Sequence, residues 1–147
     1  MPHAGLMDAD ALGPEAAALL RARLHVRGAR RRLGQGRHAL ALAALYDSLT
    51  SAMVWFLSSP ARRAGASLDG FPLSDDVPTH AALVRAKILD GSFDFAAFQR
   101  VVYRALDEPP AAAECATWFL GAEAELTRLG VLPFDEAILP SEDPETP

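Results

Sequence analysis

The sequence predicts an all-α fold, an up-and-down helical bundle of about five helices with a long loop between helices two and three. Three observations lead there. Hydrophobic residues fill 50% of the 147 positions but aromatics only 7%, and a core built mainly from alanine and leucine suits packed helices better than a β-sandwich. Apolar residues recur at steps of three and four through the longer segments, and none shows convincing strand alternation. Glycine and proline then punctuate those segments, at Gly34-Gln35-Gly36, across Pro60 to Pro72, at Gly91, at Pro109-Pro110 and at Gly130. A chain of this length matches one ordinary domain, able to bury roughly two-thirds of the surface its unfolded form exposes.

Residues 1–13 are read as a flexible N-terminal segment. Helix one is expected from Pro14 to about Leu33, because the first turn of a helix has no use for the amide hydrogen that proline lacks. Leu19, Ala22, Val26, Ala29 and Leu33 share one face. Arg23, Arg27 and Arg30 line one flank, and Arg21, His25 and Arg32 lie nearer another. Two glycines in three residues end the helix and permit a tight reversal. Helix two, roughly Arg37 to Ser58, places Leu42, Leu45, Leu49, Ala52 or Met53, and Phe56 on one face. Its opposite side carries Leu40, Ala44 and Trp55, broken by Asp47, Ser48 and Ser51. A helix apolar on nearly all sides needs several neighbours: helix one, the later helices or a second subunit. Ala39–Leu57 approaches membrane-span length, but its polar interruptions favour a central bundle helix, and no membrane partner is expected.

Ser59 to Val77 is a connection of unusual length, the kind that is often functional or disordered; Leu68, Phe71 and Leu73 suggest that part of it packs down. Asp75-Asp76 precedes Pro78 and is expected to cap the next helix. Helix three is expected from about Pro78 to Leu89, closed by Asp90-Gly91. Helix four should begin near Ser92 or Asp94, with Phe95, Phe98, Val102 and Leu106 on one face, and end before Pro109-Pro110. Helix five then reaches Leu129 with Cys115, Trp118 or Phe119, Ala122, Leu126 and Leu129 in register, and Gly130 as its C-terminal cap. Val131-Leu132-Pro133-Phe134 can fold back on the bundle, giving one domain over 14–134. Residues 135–147 are read as an acidic, proline-rich tail.

Charge is distributed unevenly. Seven of the thirteen arginines lie between Arg21 and Arg37, and no acid occurs between Glu15 and Asp47, although the net charge is −5. Residues 1–70 sum to +4 and residues 71–147 to −9. Either the two halves neutralise each other, within the fold or across a dimer, or a basic face stays open for a phosphate or acidic ligand, with Arg23, Arg27 and Arg30 as the binding candidates. A single lysine, Lys87, against thirteen arginines is explained equally by a GC-rich genome or by selection for bidentate contacts.

Chemical signatures are mostly missing. One cysteine, Cys115, rules out an intramolecular disulfide and a cysteine metal cluster, and its place on an apolar stripe makes it a small core residue. His3, His25, His38 and His80 form no helical Glu-x-x-His pattern, so no metal is expected. There is no Gly-x-Ser-x-Gly elbow and no glycine loop ending in Gly-Lys-Ser/Thr, and no cofactor is expected. Asp107-Glu108 and Glu123/Glu125 read as solvated faces. Met1 to Gly13 lacks a basic stretch followed by an apolar run, and a cytoplasmic protein is expected.

The stretch from Glu15 to Leu57, with its spaced alanines and arginines followed by Leu33-Gly34-Gln35-Gly36-Arg37-His38-Ala39-Leu40-Ala41-Leu42-Ala43-Ala44-Leu45-Tyr46, resembles the start of the HEPN family (higher eukaryotes and prokaryotes nucleotide-binding). Tyr46 would be the aromatic that family carries near the middle of its long second helix. The resemblance implies a helical bundle, often dimeric, whose members include ribonucleases of toxin–antitoxin and defence systems as well as noncatalytic nucleotide- or partner-binding proteins. The ribonucleases use an arginine and a histidine separated by four to six residues near the start of a later helix. Arg32 and His38 have that spacing, as do Arg31 and His38, but they flank the first interhelical turn, and Leu33 stands where a polar residue usually follows the arginine. Were they a site, His38 would move a proton at a ribose oxygen while Arg32 stabilised phosphate charge. The leading expectation is a noncatalytic bundle that binds a protein partner, through homodimerisation or heteromeric pairing. Nucleotide or RNA binding through Arg23, Arg27 and Arg30 is the alternative.

Overall fold

The computed structural model describes residues 13–63 and 75–140. They form five α-helices, α1 (Pro14–Gly34), α2 (His38–Leu57), α3 (Asp76–Arg85), α4 (Phe95–Arg104) and α5 (Ala112–Leu129), followed by a 3-10 turn at Glu136–Ile138. No strand occurs among the described residues, and the all-α helical bundle is the fold. Residues 1–12, the loop positions Leu68, Phe71 and Leu73, and the acidic stretch from Ser141 lie outside the described residues.

α1 and α2 form an antiparallel hairpin. Gly36 reverses the chain at φ 74°, a value that favours glycine because a Cβ there crowds the backbone, and the Arg37 amide closes the turn on the Arg32 carbonyl at 2.9 Å. Ala22, Val26 and Ala29 are buried and Leu19 and Leu33 are half-buried, so the apolar stripe of α1 is the face that meets α2. Ser48, fully buried in α2, donates to the Ala22 carbonyl at 2.6 Å, which satisfies a hydroxyl that would otherwise be costly in the core.

α2 packs against all four other helices. By length and composition it could cross a bilayer, but 67% of its most apolar stretch is buried inside the bundle. Its many-sided apolar surface is largely consumed by these neighbours. Arg62, beyond its end, lies 3.9 Å over the Trp55 ring and pairs with Glu15 at 2.6 Å, tying the start of α1 to the exit of α2.

The shorter helices depart from the sequence reading in detail. α3 begins at Asp76 and ends at Arg85, before the expected Leu89. Lys87 turns the chain at φ 64°, and the Ile88 and Leu89 amides both reach the Leu83 carbonyl. Beyond this turn Leu89, 1% exposed, lies in the core. Asp75 occupies the N-cap position of α3 but its carboxylate makes no capping bond; its carbonyl instead accepts from the Thr79 amide and hydroxyl, at 3.1 and 2.6 Å. Asp94 does cap α4, accepting from the Ala97 amide at 3.0 Å. α4 ends at Arg104, so Leu106 sits in the following turn at 77% exposure and does not share the buried face of Phe95 and Phe98.

α5 buries Cys115, Phe119, Ala122, Leu126 and Leu129. Gly130 takes the left-handed cap conformation at φ 94°, with the Val131 amide bonded to the Leu126 carbonyl at 2.9 Å. Beyond it Val131, Leu132 and Leu139 are buried. Asp135 caps the 3-10 turn through the Ala137 amide, and Leu139 follows that turn.

An aromatic cluster fills the far side of the bundle. Phe93, Phe98 and Trp118 pack with centroids 5.4 to 5.7 Å apart, and Tyr46 stacks on Phe95 at 5.5 Å. α5 reaches this cluster through Gly121, where a Cβ would stand 2.6 Å from the Phe93 ring. A glycine in a helix interior costs roughly 1 kcal/mol relative to alanine; here the close approach of the ring requires it.

Candidate functional site

The arginine face of α1 is occupied by the chain's own C-terminal segment. Arg23 directs Nε to the Val131 carbonyl at 3.4 Å and lies over the Phe134 ring at 5.4 Å; burial lowers its pKa from the usual guanidinium value. Arg27 donates through Nη1 to the Pro140 carbonyl at 2.6 Å. Arg30 holds Glu123 of α5 in a two-pronged contact, at 3.4 and 3.3 Å, and Glu136 stands 3.9 Å away. Arg23, Arg27 and Arg30 therefore lie along one surface, and each has a carbonyl, ring or carboxylate partner within the chain.

Arg32 and His38 flank the Gly34-Gln35-Gly36 turn. His38 is the first residue of α2, half-buried, with Nδ1 3.3 Å from the Pro110 carbonyl. Its ring thus anchors the start of α5 to the hairpin turn. Arg32 is half-buried and its backbone carbonyl closes the same turn.

Two polar constellations form that spacing alone does not reveal. In the first, Tyr46 of α2 donates to Asp76 Oδ2 at 2.7 Å and accepts from Gln99 Nε2 at 2.9 Å, linking α2, α3 and α4. Burial, and then the bond to Asp76, push the Tyr46 phenol well above its ordinary value. A raised phenol keeps its proton in the folded state after the unfolded chain has lost it, so the stabilisation is complete below pH about 10 and declines as pH rises beyond that. Tyr46→Phe is expected to remove this alkaline component and to cost about 1–2 kcal/mol near neutrality through the two lost hydrogen bonds. Denaturant midpoints measured from pH 7 to 11 for both proteins check the sign.

In the second, His80 of α3 and Glu125 of α5 form a buried pair, Nε2 to Oε1, at 5% and 3% exposure. Glu125 Oε2 is enclosed and has no hydrogen-bond partner among the described residues. The imidazole is stacked on Phe95, 4.8 Å between centroids and 13° between planes. Glu125 is thus no solvated acid: it shares the α5 face of Ala122 and Leu129 and is covered by α3. Glu123, its neighbour in sequence, is the half-exposed partner of Arg30. The signal available in the sequence was an acid placed within an apolar helical stripe, and a histidine at the same register as Val77 and Leu83 in α3.

His80 also lines an open groove of about 490 Å³ bounded by α3, the α3–α4 connection and the start of α4. Asp90, at the back of that connection, accepts the Ser92 hydroxyl and amide and pairs with Arg128 of α5 at 2.8 Å, contacts that lower its pKa. Among the described residues no group of three histidine, cysteine or carboxylate side chains is close enough to hold a metal ion. Cys115 is fully buried, and burial followed by the nearby Glu114 charge raises its thiol, away from the reactive thiolate.

These features define a class, an all-α bundle with a basic face held by its own C-terminal segment and a buried histidine–glutamate pair beside a groove. Comparison with family models, curated proteins and solved structures gives no match.

Proposed function

We propose that this chain is a noncatalytic interaction module that pairs with a second copy of itself through the outer stripe of α2. The observation that carries the reading is that α2, whose one Asp, Glu, Lys or Arg is Asp47, leaves Leu40 and Val54 exposed at 43% and 55% after four helices have packed on it. Leu40, Ala43, Asp47, Thr50 and Val54 follow one another at steps of three and four, the spacing of a coiled-coil seam. Leu40 and Val54 each stand seven residues from Asp47. A two-fold axis near Asp47 therefore sets Leu40 of one copy against Val54 of the other, the self-complementarity that a closed dimer needs. Beside Val54 a small apolar cleft of about 150 Å³, lined also by Met53, Leu57 and Thr79, gives the Leu40 of the second copy a place to enter.

The occupied arginines support this reading over a phosphate-binding one, because an anionic ligand would first have to displace Glu123 and the 131–140 segment. At the axis the two Asp47 carboxylates oppose each other, which fixes register at a cost in affinity. Sedimentation velocity over a concentration series is the test. Wild type is expected to dimerise reversibly, Val54→Arg to stay monomeric with unchanged helicity, and Asp47→Ala to dimerise more tightly. A wild type that stays monomeric throughout, or a dimer indifferent to both changes, rejects the proposal.

A further inference from the structure

The outer stripe of α2 has two different edges. Among the described residues the large apolar side chains left exposed are Leu40, Val54, Tyr103, Leu106, Leu120 and Ile138. Leu40 and Val54 stand on the stripe itself. Tyr103, in the last turn of α4, is 68% exposed, and its ring centre lies 6.3 Å from that of Tyr46. Tyr46 immediately precedes Asp47, the middle of the stripe, and Ser48 follows it. Neighbouring helical residues differ by about 1.5 Å along the axis and about 100° around it. Tyr46 and Ser48 are therefore level with Asp47 but turned to opposite edges. Gln99 and Tyr103 of α4 meet Tyr46 on one edge, and the Ala22 carbonyl of α1 meets Ser48 on the other.

We propose that Tyr103 is the aromatic anchor of the pairing between two copies, covered by the second copy when the α2 stripes meet. The inference rests on the α2 pairing proposed above and adds the residue that selects its orientation. A two-fold axis beside Asp47, lying in the interface and crossing α2 at a right angle, exchanges the two ends of the stripe and keeps its edges. The α4 edges of both copies then lie on the same side. Tyr103, packed on the residue next to the axis, comes up against the α4 edge of the second copy. A parallel pairing would set that edge against α1, and the two tyrosines would be parted. Tyrosine offers a large, rigid contact area and is enriched among the residues that dominate interfaces. The stripe has no aromatic of its own: Leu40, Ala43, Asp47, Thr50 and Val54 make a narrow seam, which Tyr103 widens on the α4 side.

The chain has two tyrosines, Tyr46 and Tyr103, and Tyr46 is 8% exposed. Full-length protein carrying 3-fluorotyrosine therefore gives two fluorine NMR signals, assigned with Tyr103→Phe. As concentration rises through the dimerisation midpoint seen in sedimentation velocity, the Tyr103 signal is expected to shift and to lose its response to exchange of water for deuterium oxide. The buried Tyr46 should show little response in either state. Tyr103→Ser should weaken dimerisation at least about tenfold with unchanged helicity, the loss expected of an anchoring tyrosine. Leu120→Ser, a change at an equally exposed position on α5, should leave dimerisation as it is. A dimer that forms while the Tyr103 signal keeps its monomer position and solvent response, or that is indifferent to Tyr103→Ser, overturns the anchor and leaves the α2 pairing standing. A wild type that stays monomeric overturns the pairing and the anchor together.

Discussion

Glu125→Leu is expected to destabilise the protein by about 2–3 kcal/mol, the cost of removing one partner of a buried hydrogen-bonded pair and leaving the other unsatisfied. The change leaves His80 Nε2 facing a hydrocarbon side chain in a site 5% exposed, where an unsatisfied polar group costs its full desolvation energy. His80→Phe in the same protein should recover most of the loss. The pair then becomes two apolar side chains stacked on Phe95, and such replacements are often neutral or better. Urea unfolding of the two single variants and the double variant measures the coupling. If the three losses simply add, the two residues do not act as a pair. A bundle of this size has a total stability of roughly 5–15 kcal/mol, so the single variants should still fold and show the difference.

Phe98→Ala should cost about 3–5 kcal/mol, the range for deleting a fully buried aromatic. Phe98 is 0% exposed and its ring lies 5.4 Å from both Phe93 and Trp118 and 6.0 Å from Tyr46. Its removal therefore opens a cavity between α2, α4 and α5 that no single neighbour can refill. Gly121→Ala, on the opposite side of the same cluster, should cost about 1–3 kcal/mol despite the helix propensity of alanine, because the new methyl group meets the Phe93 ring at 2.6 Å. Thermal and urea unfolding give both magnitudes. A stabilised Gly121→Ala protein would mean that the α5 approach to Phe93 is looser than the packing described above.

Helix positions were legible where a local cause sufficed. Pro14 in a first turn, Gly34-Gln35-Gly36 and Gly130 as breakers, and the stripe from Ala22 to Ala29 act within one or two turns of chain, and the structure places α1, α2 and α5 where those residues put them. Element ends set by remote packing were not legible. α3 stops at Arg85 and the chain turns at Lys87 before Leu89 enters the core, and Leu106, beyond the end of α4 at Arg104, is exposed. Asp75 looked like a cap from its place before Pro78, yet Thr79 found the carbonyl of that residue and not its carboxylate.

The candidate sites divide the same way. The arginine cluster on α1 was visible as composition, but what covers it, Glu123 some 93 residues away and Pro140 some 113 away, was not. Nothing in the spacing joins His80 to Glu125 across 45 residues either. By itself the sequence determined the helical class, the apolar faces and the concentration of positive charge on the first helix, since propensity, periodicity and charge are properties of short stretches of chain. Only the tertiary structure decided which charged groups are engaged, which acid is buried and which face of α2 is left over, because those outcomes depend on where distant helices come to rest against one another.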